Sequence, residues 1–407
     1  MKRQGRALPA RNLNGHAARA DRVHGAPRRG GLCRVSHDVN LYPADRVLRA
    51  REAAAAQGVD ALLVSPGPDF RYLTGYQALP LERLTCLVAP AQGEPFLVVP
   101  LLEKPAAEAS PAGALGIEIV GWRETDDPYQ LIARRLGGAA KRLAVDNHMW
   151  AEKVLSFRAA LPWAEQGLAG TVLGELRMRK SPAEVEALRV AARAIDTVHQ
   201  SMGEWLRPGR TEREVGRDIA DAILAAGHES CDFVIVGSGP NGASPHHEVS
   251  DRVIEPGDPV VVDIGGTTAD GYCSDSTRVY CAGGEPKGEY GKLYEVLLAA
   301  QRAQCEAVRP GITAQELDAV GRDAIAAAGY GECFIHRTGH GIGLETHEEP
   351  YIVAGSARPL EPGMAFSIEP GIYLSGRYGA RIEDIVVCGE ESGERLNTVP
   401  RELRLLG

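Results

Sequence analysis

Arg207-Pro208-Gly209-Arg210-Thr211-Glu212-Arg213-Glu214 returns 102 residues later as Arg309-Pro310-Gly311-Ile312-Thr313-Ala314-Gln315-Glu316. In each copy Pro-Gly makes a turn, and Thr followed three residues on by Glu spells a capping box that satisfies the first N–H groups of a helix. Both helices are expected to stop at Ala-Gly, with Gly227 and Gly329 as C′ residues. The same offset superposes Cys231 on Cys333. Further on, Glu255-Pro256-Gly257 returns as Glu361-Pro362-Gly363 at an offset of 106. Each leads into a strand-like run with an acid at its end, Val260-Val261-Val262-Asp263 and Phe366-Ser367-Ile368-Glu369. An offset of 101 pairs His246 with His347. Two copies are too few for a solenoid. They predict an αβ domain of two pseudo-two-fold halves facing a central cleft, where matched acids converge.

Working outward, Ser181-Pro182 opens a further helix, with Ser181 as N-cap, Pro182 at N1 and Glu184 completing a capping box. A break near Gly167–Gly174 separates it from a region, Tyr42–Leu161, that alternates helix and strand. Pro43–Gln57 reads as a helix stopped by Gly58. Apolar runs at Ala61–Ser65, Leu84–Ala89, Pro95–Val99, Ile117–Val120 and Arg142–Val145 are short and bounded by Gly and Pro, which favours strands. Leu102–Ala109, Pro128–Leu136 and Trp150–Ala160 read as helices. Asp69-Phe70-Arg71-Tyr72-Leu73-Thr74-Gly75-Tyr76 is the most distinctive stretch, and its composition assigns it no chemistry. The expected division is residues 1–38 as a basic tail, 39–165 as a compact α/β domain, and 166–407 as the duplicated domain.

The 407 residues carry a formal charge of -9, with 44% hydrophobic and 24% charged residues, ordinary values for a folded chain. The charge is uneven. Residues 1–36 hold nine Lys and Arg against Asp21 alone, a balance of +8, so the remainder carries -17. That body lacks the clustered positive charge that nucleic acid requires. No apolar run is long enough to span a bilayer. The basic segment is followed by no apolar h-region, so it reads as a disordered tail or the product of a misplaced start codon, and not as a secretory signal or a nucleic-acid arm. Eight cysteines are scattered without a CxxC pair, which fits free thiols in a reducing compartment and a cytoplasmic protein.

Four acids stand in apolar strand patterns: Asp263, Asp275, Glu369 and Glu383. An isolated buried carboxylate is costly. Arginine can rescue one; Asp275 could pair with Arg278, and Glu383 with Arg381. Four together call for a stronger positive charge, which two divalent cations supply. An oxygen-dominated set suits Mn²⁺, with Co²⁺, Fe²⁺ or Zn²⁺ also compatible. His340 lies in Thr338-Gly339-His340-Gly341-Ile342-Gly343, whose glycines permit close approach to an ion or substrate. His246 and His347 complete the set, as groups able to hold a carbonyl or protonate a leaving amine. The bland alternative makes His246 and His247 surface loop residues and His336 a structural one. Gly237-Ser238-Gly239-Pro240-Asn241-Gly242 resembles a phosphate loop only superficially, because Pro240 spoils the helix start.

At these residues the chain resembles the pita-bread metallopeptidases that cleave Xaa-Pro bonds, the prolidase and aminopeptidase P group, over roughly residues 40–407. The resemblance includes a creatinase-like N-terminal domain, with its Tyr72-Leu73-Thr74-Gly75-Tyr76 stretch. It implies an α/β creatinase-like domain followed by an α+β pita-bread catalytic domain with an internal pseudo-two-fold duplication. The family's five metal ligands fall on Asp263, Asp275, His340, Glu369 and Glu383. Its two active-site histidines fall on His246 and His347, and its ligand-flanking arginine on Arg381. Asp263 and Asp275 are twelve apart, one more than in many relatives, and Asp270-Gly271 are expected to absorb the extra residue in a loop. The implied mechanism has Asp263 on one metal, His340 on the other, and Asp275, Glu369 and Glu383 shared between them. A hydroxide held by both metals attacks the carbonyl, Glu369 relays the proton, and His246, His347 and Arg381 serve the substrate. The resemblance further implies a homodimer acting on proline-containing peptides, as an Xaa-Pro dipeptidase or, for longer peptides, an Xaa-Pro aminopeptidase. A metal-free creatinase-type hydrolase, a methionine aminopeptidase and a non-catalytic binding module share parts of the fold. The complete ligand set disfavours the first and last, and the N-terminal domain disfavours the second.

Overall fold

A computed structural model describes residues 41–407; the basic tail and Cys33 lie outside the described residues. Helix α1 (Asp45–Ala56) leads to β1 (Ala61–Val64), and α2 (Pro68–Thr74) leads to β2 (Cys86–Pro90) and β3 (Phe96–Pro100). Then come α3 (Lys104–Ala109), β4 (Glu118–Trp122), α4 (Pro128–Leu136), β5 (Arg142–Val145), α5 (Ala151–Ala160), β6 (Glu165–Leu168) and α6 (Gly170–Met178). The six strands form one mixed sheet in the order β4-β3-β2-β1-β5-β6. Side chains alternate across it, as the two-residue period requires. Leu62, Val64, Leu87 and Val99 pack with Val47 of α1 and Val172 of α6, whereas Ala61, Leu63, Val88 and Val98 pack with Ile132 of α4 and Phe157 of α5. Burial on both faces explains why the central strands read as unbroken apolar runs.

Two elements lie where the sequence offered only a break. Strand β6 pairs with β5 as the sheet's last strand, and α6 follows at once. Glu165-Gln166-Gly167-Leu168 carries no apolar alternation, because this edge is held through its backbone and is mostly exposed. The Asp69–Tyr76 stretch is α2 with its cap, ended by Gly75 in the left-handed conformation at φ 67°.

The duplicated half begins with α7 (Pro182–Gln200), capped by the Ser181–Glu184 box as expected. Helix α8 (Glu212–Ala225) precedes β7 (His228–Ser238), β8 (Asp258–Thr268) and β9 (Cys273–Ala282). Helices α9 (Tyr290–Ala307) and α10 (Ala314–Ala327) are followed by β10 (Gly339–Gly341), β11 (Glu348–Ile352), β12 (Ala365–Ile368), β13 (Gly371–Leu374) and β14 (Tyr378–Arg381). The chain closes with β15 (Asp384–Cys388), β16 (Gly393–Arg395) and β17 (Arg404–Leu406). One sheet has the order β17-β9-β8-β7 and the other β11-β10-β12-β15-β16, with β13-β14 as a separate ribbon.

The duplication is visible bond by bond. Thr211 bridges Val253 as Thr313 bridges Pro359. Gly209 N–H donates to Ile254 O at 2.9 Å, and Gly311 N–H to Leu360 O at 2.8 Å. Arg213 N–H donates to Ser250 O, and Gln315 N–H to Ser356 O. Gly209 and Gly311 hold φ of 88° and 87°, and Gly257 and Gly363 hold 80° and 86°, a region where a side chain would be strained. The correspondence fails at the cysteines. Cys231 lies within β7, whereas Cys333 lies in a short 3-10 turn, because the second half has no counterpart of that long strand there.

One of the links between the N-terminal layer and the duplicated half is a buried acid. Glu184 forms an ion pair with Arg46 of α1 at 3.1 Å, their side chains 5% and 2% exposed, and accepts from Tyr272 Oη at 2.9 Å. Arg46 also donates to Tyr72 O and stacks on the Tyr72 ring. Removing one partner leaves an uncompensated buried charge, so Arg46→Ala should destabilise the fold by about 3–5 kcal/mol. Urea unfolding checks this, and a shift below about 1 kcal/mol would show that the pair holds little.

Candidate metal centre

The first two acids come from the β8–β9 hairpin. Asp263 lies in mid-strand, since β8 runs on to Thr268, and not at a strand end as the sequence pattern suggested. Asp263 faces Thr277, and Gly265 faces Asp275, so both carboxylates project from one face of the ladder. The register is unbroken from Asp258↔Ala282 to Thr267↔Cys273, so the twelve-residue spacing is taken up entirely in the turn. There Gly271 adopts φ 89° and donates to Thr268 O at 2.8 Å. The turn is gripped by its main chain: Arg71 Nη2 donates to Ala269 O at 2.7 Å and Tyr42 Oη to Asp270 O at 2.6 Å.

The second half supplies the rest. His340 sits in β10, Glu369 directly follows β12, and Glu383 links β14 to β15. His340 Nε2 lies 3.1 Å from Glu369 Oε1 and 3.7 Å from Asp275 Oδ2. Ser367 Oγ donates to Glu369 at 3.0 Å and accepts from His340 N–H at 3.0 Å. Thr277 Oγ1 donates to Glu383 Oε2 at 2.8 Å. The glycines around His340 serve the sheet and not an ion. A Cβ at Gly339 would stand 1.8 Å from Ser367 O, and one at Gly341 2.2 Å from Glu349 O.

Asp263, Asp275, His340, Glu369, Glu383, His246, His347 and Arg381 all line one cavity of about 420 Å³. The arginine alternatives separate cleanly. Arg278 pairs with Asp384 at 2.5 Å and donates to Val399 O, away from Asp275. Arg381 pairs with Asp263, not Glu383. Asp275 and Glu383 therefore have no arginine ion pair among the described residues.

Electrostatics shows what such a cluster lacks. Burial, then Glu383, Asp263 and Glu369, push the Asp275 carboxyl well above its ordinary range. Burial, then Glu369 and Asp263, do the same to Glu383. At Glu369 burial also opposes ionisation, but the hydrogen bond and charge of His340 outweigh it and hold the carboxyl down to about 2. Asp263 Oδ1 and Glu383 Oε1 are buried acceptors with no hydrogen-bond partner. Donor atoms of Asp275, His340 and Glu383 lie within 4.8 Å of one another. Crowded acids, spare acceptors and a nearby imidazole fit a divalent cation.

Other residues escaped sequence reasoning. Glu212 is fully buried and accepts from Ser238, Asn241 and Ser250, with His247 Nε2 at 2.7 Å from its Oε2. It thereby pins both ends of the loop that carries His246, and His247 is no free surface residue. Burial opposes its ionisation, and the Ser238 and Ser250 hydrogen bonds hold the carboxyl below the usual range. The signal was present: the duplication aligns Glu212 with Ala314. Tyr373 was also missed. It accepts from Arg381 Nη1 at 2.8 Å and lies 2.9 Å from His336 Nε2, so His336 is held structurally.

The comparisons agree with this architecture. Residues 186–390 match the metallopeptidase family M24, and residues 46–179 match the creatinase/prolidase N-terminal domain. A probable dipeptidase PepE of Mycobacterium tuberculosis is 52% identical, over 90% of this chain and 97% of its own. An Xaa-Pro dipeptidase of Lactobacillus delbrueckii subsp. lactis is 38% identical over 86% and 95%. The crystal structure of dipeptidase PepE from Mycobacterium ulcerans, 52% identical, superposes with a TM-score of 0.85 over 89% of this chain and 97% of that one. With half its length matched by the catalytic family and most of it by these relatives, the chain belongs to metallopeptidase family M24.

Proposed function

We propose that this protein is an Xaa-Pro dipeptidase that holds two divalent cations with Asp263, Asp275, His340, Glu369 and Glu383. The observation that carries this reading is the buried carboxylate cluster, which keeps two acceptor oxygens unsatisfied at Asp263 and Glu383. When bound, such ions acidify a water for attack and polarise the scissile carbonyl. The oxygen-rich donor set favours Mn²⁺.

The remaining work falls to the chain. Glu369, kept ionised beside His340, takes the proton of the attacking water and passes it toward the leaving prolyl nitrogen. His246 and His347 line the cavity, where they orient the substrate carbonyl and steady the tetrahedral intermediate. Four of the five guanidinium donors of Arg381 are engaged by Thr277, Tyr373, Pro245 O and Asp263. Arg381 thus serves substrate binding mainly by ordering Asp263 and the backbone beside His246. An Xaa-Pro bond is a tertiary amide without N–H, so recognition rests on ring shape and not on hydrogen bonding to the scissile nitrogen.

We move the division expected at residue 165 to the end of α6, because β6 and α6 belong to the N-terminal sheet and its core; the part before it limits substrate length, and the part after it carries the chemistry. The dipeptidase names of the similar proteins favour dipeptides over longer substrates. The seven cysteines among the described residues are all free, which suits a cytoplasmic enzyme. Among those residues no helix is long and apolar enough to cross a membrane. We infer a homodimer, as the family resemblance implies.

Exhaustive chelation should abolish hydrolysis of Ala-Pro, and Mn²⁺ should restore it; full activity of verified metal-free protein would remove the reading. Asp275→Asn should lower turnover by more than about a hundredfold, since loss of even an outer partner of a metal site costs 10–100-fold. The same variant should lose bound metal by elemental analysis. Ala-Pro should be cleaved much faster than Ala-Pro-Ala-Ala, and the reverse ratio would identify an Xaa-Pro aminopeptidase.

A further inference from the structure

His347 stands on the loop Gly343–His347, between β10 and β11, and its ring accepts or donates no hydrogen bond among the described residues. It meets the His340 ring edge to face, with centroids 4.1 Å apart. A histidine that must meet a substrate carbonyl needs a fixed position, so the support must come from its neighbours in the chain.

The hub of that support is one guanidinium, beside which His148 Nε2 lies 3.3 Å from Glu345 Oε1. Arg177 of α6 contacts Glu345 Oε2 at 2.7 Å and Glu348 through the same Nη2, the two acids that bracket His347. Its Nη1 meets Asp69 Oδ1 of α2 at 2.8 Å. The other oxygen of Glu348 takes Lys180 Nζ at 2.6 Å. Arg177 and Asp69 are each 8% exposed at the side chain and Lys180 only 1%, while Glu345, at 24%, forms the open edge of the array. Glu348 fits because Gly343 has no side chain; a Cβ there would fall 2.7 Å from Glu348 Oε1. The array borders a second cavity of about 790 Å³, which shares His347 with the first. On that side open space, and not packing, faces the histidine.

We propose that Arg177, anchored by Asp69, is the positioning residue that sets the place of His347. This rests on the substrate role given to His347 above. Asp69 thereby gains a task that its own composition did not suggest, and the N-terminal layer reaches the reaction through a charge array. Lysine is a poor replacement, because its single ammonium lacks the two nitrogens, Nη1 and Nη2, from which the planar fork reaches Asp69 on one side and both glutamates on the other.

The test is a double-mutant cycle on the metal-loaded enzyme with Ala-Pro. Arg177→Lys should lower kcat by about tenfold or more, the scale on which small misplacements act, with unchanged metal content and a smaller change in KM. In the His347→Ala background the same substitution should cost less than about twofold, because the group it positions is gone. Asp69→Asn should follow Arg177→Lys at smaller amplitude, and it serves as the second probe if Arg177→Lys unfolds, as judged by circular dichroism. Equal losses in both backgrounds would overturn the proposal and leave Arg177 with a general structural role. Loss of metal in Arg177→Lys would likewise overturn it. A His347→Ala enzyme of normal kcat would instead overturn the role of His347 itself, and the positioning proposal with it.

Discussion

The constraint that organises the catalytic half is the burial of four carboxylates around one cavity with one arginine among them. Arg381 neutralises Asp263, and His340 holds Glu369 ionised. At Asp275 and Glu383 burial and the neighbouring acids dominate, and the Thr277 hydrogen bond and the Arg381 charge do not offset them at Glu383. A fold cannot tolerate that arrangement for its own sake, since apolar residues in those places would pack without the electrostatic penalty. The acids are retained for what they bind.

Much of this was legible in the sequence because the duplication is written in short motifs with fixed chemistry. A capping box, a Pro-Gly turn and an apolar run ending in an acid each have a local meaning, and their repetition supplies long-range information that a single sequence rarely holds. The central strands of the N-terminal sheet were legible for a related reason, as runs buried on both faces. Strand β6 was not, because an exposed edge strand is specified by backbone pairing with β5 and leaves no apolar pattern. Helix α2 was obscured by its polar residues, which look outward to other elements and not to its own core.

Contacts between residues far apart in the chain also explain why the site was only half visible. The acids and histidines that meet the cavity stand in recognisable motifs. The groups that hold them, Glu212, Tyr373, Ser367 and Thr277, sit in ordinary contexts and gain meaning only from contacts far apart in sequence. Glu212 was the exception that could have been found. Where one repeat has a buried acid and the other has Ala314, symmetry has been broken for a purpose, here the anchoring of the His246 loop.

The turn between β8 and β9 shows how such a scaffold absorbs change. Arg71 and Tyr42 grip carbonyl oxygens of Ala269 and Asp270, not their side chains. Any residue presents the same carbonyl, so these two positions are open to substitution while the grip persists. Gly271 is closed to it, since its φ of 89° would strain any side chain, and a Cβ there would also push aside the Arg71 guanidinium that grips the turn. The twelve-residue spacing is accommodated at this point, and the ladder below the turn stays in register from Asp258↔Ala282 to Thr267↔Cys273. The hairpin is thus rigid where it carries Asp263 and Asp275 and permissive at its tip, and drift in turn composition is insulated from the chemistry.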